Sequence, residues 1–415
     1  MRSWLPLLST LFVAACAAEP PATSATMNTT PSSPPTASPP ARGTTFDDDV
    51  AFLRRSSPVI VLTSDSGGRI AVSPALQGRV MTSAVAPRGA SLGWINRPFL
   101  EAGKTGTQFD NYGGEDRLWL GPEGGQFGLY FAPGAPFAFA AWQTPPSLNE
   151  GAWTVTRSAD TEVVLTRTLR VTNHSGAAFE VGVERTITVL SRSELLSGLG
   201  VALPPSVQAV AFETKNRITN LGHEPWTKER GLLSVWILGM YAPSPDAHVV
   251  VPFDPSAPGE IVNDRYFGKV PPERLSVHDR FLAFTCDGHL RSKIGLKPGR
   301  ARSPLASYSA SARLLTLVSY DRPPGVTDYV NSMWENQKEP YGGDIVNSYN
   351  DGPTEPGKPS LGGFYEIESS SPAAALAPGA SLVHTHRTVH LVGEPADLEA
   401  VTRHTLSIGL DDFSK

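Results

Sequence analysis

From about residue 47 onward the chain is a series of short β-branched and apolar runs. SPVIVLTS, TEVVLTRTLRVTN, FEVGVERTITVL, AHVVVPF, ARLLTLVSY, GGFYEIES and LVHTHRTVHLV are each bounded by Gly, Pro, Asn or Asp. Such runs are too short and too interrupted for long helices. In TEVVLTRTLRVT, Val164, Thr166, Thr168 and Arg170 point one way, while Leu165, Leu169 and Val171 point the other. That alternation marks an antiparallel strand with one wet face. Helical periodicity is weak and confined to Asp47–Arg55, a stretch from Val326 to Asn336, and residues 395–403. LRVTNHSG and NRITNLGHEP each end in an Asn- and Gly-bearing turn, and both read as hairpins. No constant period of 20 to 50 residues marks a propeller or solenoid. With 415 residues, 40% of them hydrophobic, a large core is available. No second linker follows residue 46, so residues 47–415 are expected to form one large all-β antiparallel sandwich.

The first 46 residues have a different character. Met1-Arg2 precedes the apolar run WLPLLSTLFVAA, too short to span a bilayer but suited to a signal peptide over residues 1–15. Val13-Ala14-Ala15-Cys16 resembles a bacterial lipobox, which makes Cys16 the expected lipidation site; an ordinary signal cleaved after Ala-x-Ala is the alternative. Residues 16–46 are then the anchor and a Pro/Ser/Thr linker that lacks the apolar side chains needed to offset ordering entropy. Ala17, rather than Asp, after the cysteine points to an outer-membrane anchor in the bacterial cell envelope. With Cys16 acylated, Cys286 is left without an intrachain disulfide partner. The net charge of −5 advertises no nucleic-acid surface.

The last strands carry a resemblance. In FYEIESSSPAAALAPGASLVHTHRTVHLVG (364–393), a glutamate-bearing strand is followed by a Ser-Pro turn, Leu-x-Pro-Gly and a final strand. With YGGEDRLWLGPEGG (112–125), NSYNDGP (347–353) and ITNLGHEPWTKERGLLSVWILG (218–239), the chain is similar to an uncharacterised bacterial lipoprotein family within the galactose-mutarotase-like superfamily. The resemblance implies a β-supersandwich with a carbohydrate cleft on one sheet. It implies a glutamate base on a late strand shortly before a Pro turn, here Glu368 or Glu366, with Glu368 better spaced from Pro372. The His-Pro-aromatic segment that supplies the acid in that pattern has no match; His223 in LGHEPW lies nearest. Epimerase or glycoside-processing chemistry follows, with a non-catalytic glycan-binding lipoprotein as the alternative. No cofactor is implied.

The residues themselves leave alternatives. Glu366 and Glu368 share one strand face, about 6.6 Å apart along it, as paired acids for sugar chemistry or as a solvated edge. Alternation from Gly113-Gly114 onward places Glu115, Arg117 and Trp119 on one face and Asp116 on the other. This is either a sugar platform to which all four contribute or a structural Arg–acid pair beneath a packed Trp. Asn347, Asn350 and Asp351 offer oxygens for hydroxyls, with calcium as a weaker reading and a plain turn as the bland one. His384, His386, Thr388 and His390 share a face, either for zinc or as a wet or packed outer strand. Trp94, Trp142, Trp226 and Trp236 line a cleft or fill the core.

Overall fold

The computed structural model describes residues 44–106, 108–355 and 357–414. The signal, Cys16 and most of the linker lie outside them. The folded part begins before residue 47, because Thr45 caps the first helix and Phe46 is fully buried.

In chain order the strands are β1 (Ile60–Thr63), β2 (Arg69–Ser73), β3 (Arg79–Ala84), β4 (Arg117–Gly121), β5 (Thr154–Ser158) and β6 (Glu162–Thr172). Then come β7 (Ala178–Val189), β8 (Gln208–Asn220), β9 (Ser234–Tyr241), β10 (His248–Pro252), β11 (Leu275–Val277) and β12 (Phe281–Thr285). The last are β13 (Ser292–Leu296), β14 (Leu305–Ser309), β15 (Leu314–Tyr320), β16 (Val346–Asn350), β17 (Tyr365–Ser370) and β18 (Ser381–Val392). They form three antiparallel sheets: β1-β2-β3, a ten-stranded sheet ordered β11-β12-β10-β14-β15-β18-β8-β7-β6-β5, and a five-stranded sheet ordered β13-β16-β17-β9-β4. The protein is therefore the expected all-β supersandwich.

Alternation builds the sandwich. Val235, Ile237, Leu118 and Leu120 of the five-stranded sheet share an apolar core with Leu165, Val183 and Phe212 of the ten-stranded sheet. On β6, Thr168 and Arg170 are exposed while Leu169 and Val171 are buried, as the wet-face reading requires. The described helices are α1 (Phe46–Leu53), α2 (Arg97–Ala102), α3 (Pro146–Asn149), α4 (Arg192–Leu199) and α5 (Pro395–Leu406). The other face of the ten-stranded sheet is partly covered by α4 and α5, whose Leu195, Leu398 and Val401 pack on Ala211, Leu317 and Leu391.

Two helices stand where the periodicity places them, α1 (Phe46–Leu53) and α5. The stretch 326–336 is not helical. Side chains satisfy its backbone instead: Asn331 Oδ1 accepts from the Met333 N–H, and Gln337 Nε2 donates to the carbonyls of Asn331 and Met333. The signal for α4 is present in SRSE, where Ser191 and Glu194 form a reciprocal capping box. LRVTNHSG is the β6–β7 hairpin. NRITNLGHEP is not a hairpin: β8 pairs with β7 and β18, and the chain beyond Asn220 crosses to the other sheet.

Candidate functional site

The five-stranded sheet sets the site by register. Arg117, Leu238, Glu368 and Asn347 lie in one cross-strand row, and Met240, Glu366, Tyr349 and Lys293 in the next. Trp119 faces Trp236 across β4 and β9. These side chains project away from the ten-stranded sheet, because residues 365, 367 and 369 of β17 take the inner side.

Two ion pairs cross between the rows. Arg117 Nη2 donates to Glu366 Oε1 at 3.0 Å, and Lys293 Nζ donates to Glu368 Oε2 at 2.8 Å. All four groups are buried. Trp236 Nε1 also donates to Glu368 Oε2, at 2.8 Å. The Arg117 guanidinium lies 3.8 Å from the Trp119 ring centroid. Over these groups is a cavity of about 60 Å³, walled by Trp119, Trp142, Trp236, Trp334 and Phe267 and reached by Arg117, Arg291, Lys293, Glu123 and Glu366. Glu368 stands behind this lining, so the cleft carboxyls are Glu366 and Glu123. Trp142 Nε1 donates to Glu123 Oε1 at 2.9 Å.

Burial governs the electrostatics. It pushes the Glu366 carboxyl up to about 8; Arg117 opposes the rise and Glu368 adds to it. Burial also raises Glu123, against Lys293. Arg117 is lowered by burial, with Glu366 opposing. Burial alone would lower Lys293, but Glu368 and Glu123 leave its ammonium above the ordinary lysine value.

Loop contacts hold the rim. Asn350 Oδ1 accepts from the Gly288 N–H and its Nδ2 donates to the Leu290 carbonyl, which fixes the approach to Arg291. Asp351 accepts from the Tyr349 hydroxyl and from the N–H groups of Leu361 and Gly363, which fixes the Phe364 wall. Asn347 donates to Tyr266 Oη and the Ile294 carbonyl. Asn347, Asn350 and Asp351 thus each have protein hydrogen-bond partners.

Three sequence expectations need correction. Glu115 is not on the Arg117 face: Gly113 and Gly114 have φ of +88° and +118°, which breaks the alternation before β4. Glu115 instead turns between the sheets, where Oε2 accepts from Ser83 and sits 2.9 Å from His390 Nε2. Asp116 also faces inward, paired with the fully buried Arg185 and accepting from Thr214. His223 is exposed on the turn after β8, outside the cleft lining.

His384, His386 and His390 are neither wet nor on an outer face; all three are fully buried between the sheets. Ser369 Oγ lies 2.9 Å from His384 Nε2 and 2.8 Å from His386 Nδ1. Burial drives these two imidazoles down, to about 3 and about 4. Among the described residues, no group of three or more His, Cys, Asp or Glu side chains is placed to hold a metal.

Several cleft residues escape the motif reading: Lys293, Arg291, Glu123 and Trp334. The signal for the first two is the alternation Arg-Ser-Lys in LRSKIGL, which puts both on one strand face. Trp142 and Trp236 line the cleft, whereas Trp226 packs on Phe179 in the core and Trp94 packs on Phe364. Cys286 is a buried free thiol, raised by that burial.

Comparison with solved structures finds distant likenesses. A candidate aldose 1-epimerase from Escherichia coli K12 is 12% identical with a TM-score of 0.48, over 81% of this chain and 99% of that one. A galactose mutarotase related enzyme from Lactobacillus acidophilus is 8% identical with a TM-score of 0.43, over 80% of this chain and 97% of that one. A galactose mutarotase-like protein from Lactobacillus casei is 10% identical with a TM-score of 0.43, over 80% of this chain and all of that one. No curated protein matches the chain. One family model covers residues 44–415, and by that match the chain belongs to the family of unknown function DUF6786.

Proposed function

We propose that the cleft binds a carbohydrate and that Glu366 moves a proton on it. The observation that carries this reading is a carboxyl pushed up to about 8 in the wall of an aromatic-lined cavity, held by an arginine that itself stacks on tryptophan. A carboxyl that keeps its proton near neutrality is suited to general-acid work. Tryptophan faces suit the apolar C–H side of a sugar ring, and the charged groups suit its hydroxyls.

The chemistry that fits is ring opening at the anomeric carbon. Glu366 gives its proton to the ring oxygen as the bond from that oxygen to C1 breaks. The anomeric hydroxyl loses its proton to Glu123, and C1 becomes the aldehyde carbon. Reclosure on either face reverses both transfers. A sugar seated against Trp119, Trp142, Trp236 and Trp334 should change tryptophan fluorescence.

A panel of reducing sugars tests the reading by thermal shift, tryptophan fluorescence and NMR exchange between anomers. The expected result is a sugar that stabilises the protein, perturbs fluorescence and exchanges anomers faster with the parent than with Glu366→Gln. A second reading, glycan capture without turnover, is favoured by one feature: among the described residues that line the cleft there is no histidine. Binding without exchange selects it, and no binding by any sugar contradicts both.

The site acts at the bacterial envelope in this proposal, tethered through acylated Cys16. Cys16→Ser is expected to release the protein from the membrane fraction or to block processing. A mutant processed normally and bound as tightly as the parent contradicts the anchor.

A further inference from the structure

We infer that the sugar is acidic, and that Arg117 and Arg291 receive its carboxylate. This inference rests on the carbohydrate reading of the cleft and names the substrate class within it.

Donors without acceptors carry the argument. Arg117 is 2% exposed, and among the described residues its one hydrogen bond to a protein acceptor is from Nη2 to Glu366. Its Nε and Nη1 are buried without a partner, and so is Nε1 of Trp119, the ring on which it stacks. Buried N–H groups are nearly always paired in folded proteins, so three orphans side by side in a cleft wall call for an acceptor from outside the chain. Arg291 repeats the pattern on the same cavity. Its guanidinium lies over Phe267 at 3.8 Å and interacts with the Tyr349 hydroxyl and, electrostatically, with Glu123, while its Nε is buried without a partner.

Charge points the same way. Three cations reach the cavity, Arg117, Arg291 and Lys293. Lys293 is committed to Glu368. Of the two lining carboxyls, Glu366 is shifted by burial toward its neutral form, so that Glu123, the base of the proposed reaction, offsets only one of the two remaining cations. A neutral sugar offers hydroxyl acceptors but leaves this positive charge unbalanced. A carboxylate offers two acceptor oxygens and the missing charge, in the planar shape that a guanidinium fork matches.

The test is calorimetric titration of the full chain with D-glucuronate and D-galacturonate, the uncharged D-glucose and D-galactose, D-glucose 6-phosphate, and acetate. At least one uronate is expected to bind roughly tenfold or more tighter than its uncharged parent, because charge-assisted bonds are the stronger ones. That preference should shrink with added salt. Arg291→Gln, on the half-buried rim, should weaken uronate binding by a clearly larger factor than neutral-sugar binding, so that most of the preference is lost. Arg117→Lys should do the same if it folds; the salt series on the parent does not depend on that variant. Neutral sugars binding as tightly as the uronates overturn the inference and leave the carbohydrate reading standing. Tighter binding of the 6-phosphate overturns the carboxylate assignment. Acetate binding as tightly as a uronate overturns the sugar, and no binding by any sugar overturns both readings.

Discussion

Glu366→Gln is expected to keep its stability at alkaline pH while the parent loses it. Burial raises the Glu366 carboxyl from the ordinary 4.5 to about 8, so the folded protein favours the protonated form. An acid raised in this way contributes stability that is fully present below pH 4.5 and is lost as pH rises through about 8. At 1.36 kcal/mol per pK unit, the loss is roughly 5 kcal/mol at most. Glutamine keeps the shape but cannot ionise. Urea unfolding at pH 5 should find the two proteins close, and at pH 9 should find the variant several kcal/mol more stable. The same substitution removes the transferable proton, so anomer exchange should fall to the uncatalysed rate. A group that costs stability in its ionised form yet sits in the cleft wall is the kind of strain that functional sites retain. Equal pH profiles for parent and variant would mean that Glu366 titrates as an ordinary carboxylate.

Asp116→Ala is expected to destabilise the fold by roughly 3–5 kcal/mol, because it leaves the guanidinium of Arg185 buried without its counter-charge. Both groups are fully buried, and Arg185 also donates to the Gly78 carbonyl and to Asn216 Oδ1, so the network has no route to water. Thr214 loses an acceptor as well. Sugar binding by the folded fraction should be unchanged. The opposite result, normal stability with lost binding, would restore Asp116 to the cleft.

The difference between Asp116 and Arg117 shows what strand periodicity reveals and what it hides. Within β17 the period of two is unbroken, and it correctly puts Glu366 and Glu368 on one face with Tyr365 and Ile367 on the other. Within β4 it correctly joins Arg117 to Trp119. Both segments meet in the cleft because β9 lies between them, a pairing that sequence distance does not disclose. The period holds at Asp116, which faces inward like Leu118, and fails at Glu115, where the two preceding glycines at positive φ reset the chain and turn the side chain inward. The histidine face of β18 reads as a zinc face or as a wet or packed outer strand, yet it packs between the sheets, because Ser369, Thr316 and Glu115 supply its partners from other segments. Lys293 and Arg291 carry no motif, and only the register of β13 against β16 brings Lys293 to Glu368.

The reactivity proposed for the cleft comes down to the protonation state of one carboxyl. Carbon-13 NMR of protein labelled at glutamate side-chain carboxyls, with Glu366→Gln used to assign the resonance, follows that group directly through a pH titration. A midpoint near 8 for Glu366 is the predicted result. A midpoint at the ordinary value of 4.5 would leave the cleft with a permanently ionised Arg117–Glu366 pair and no proton to give at neutral pH, and the acid role of Glu366 would be refuted.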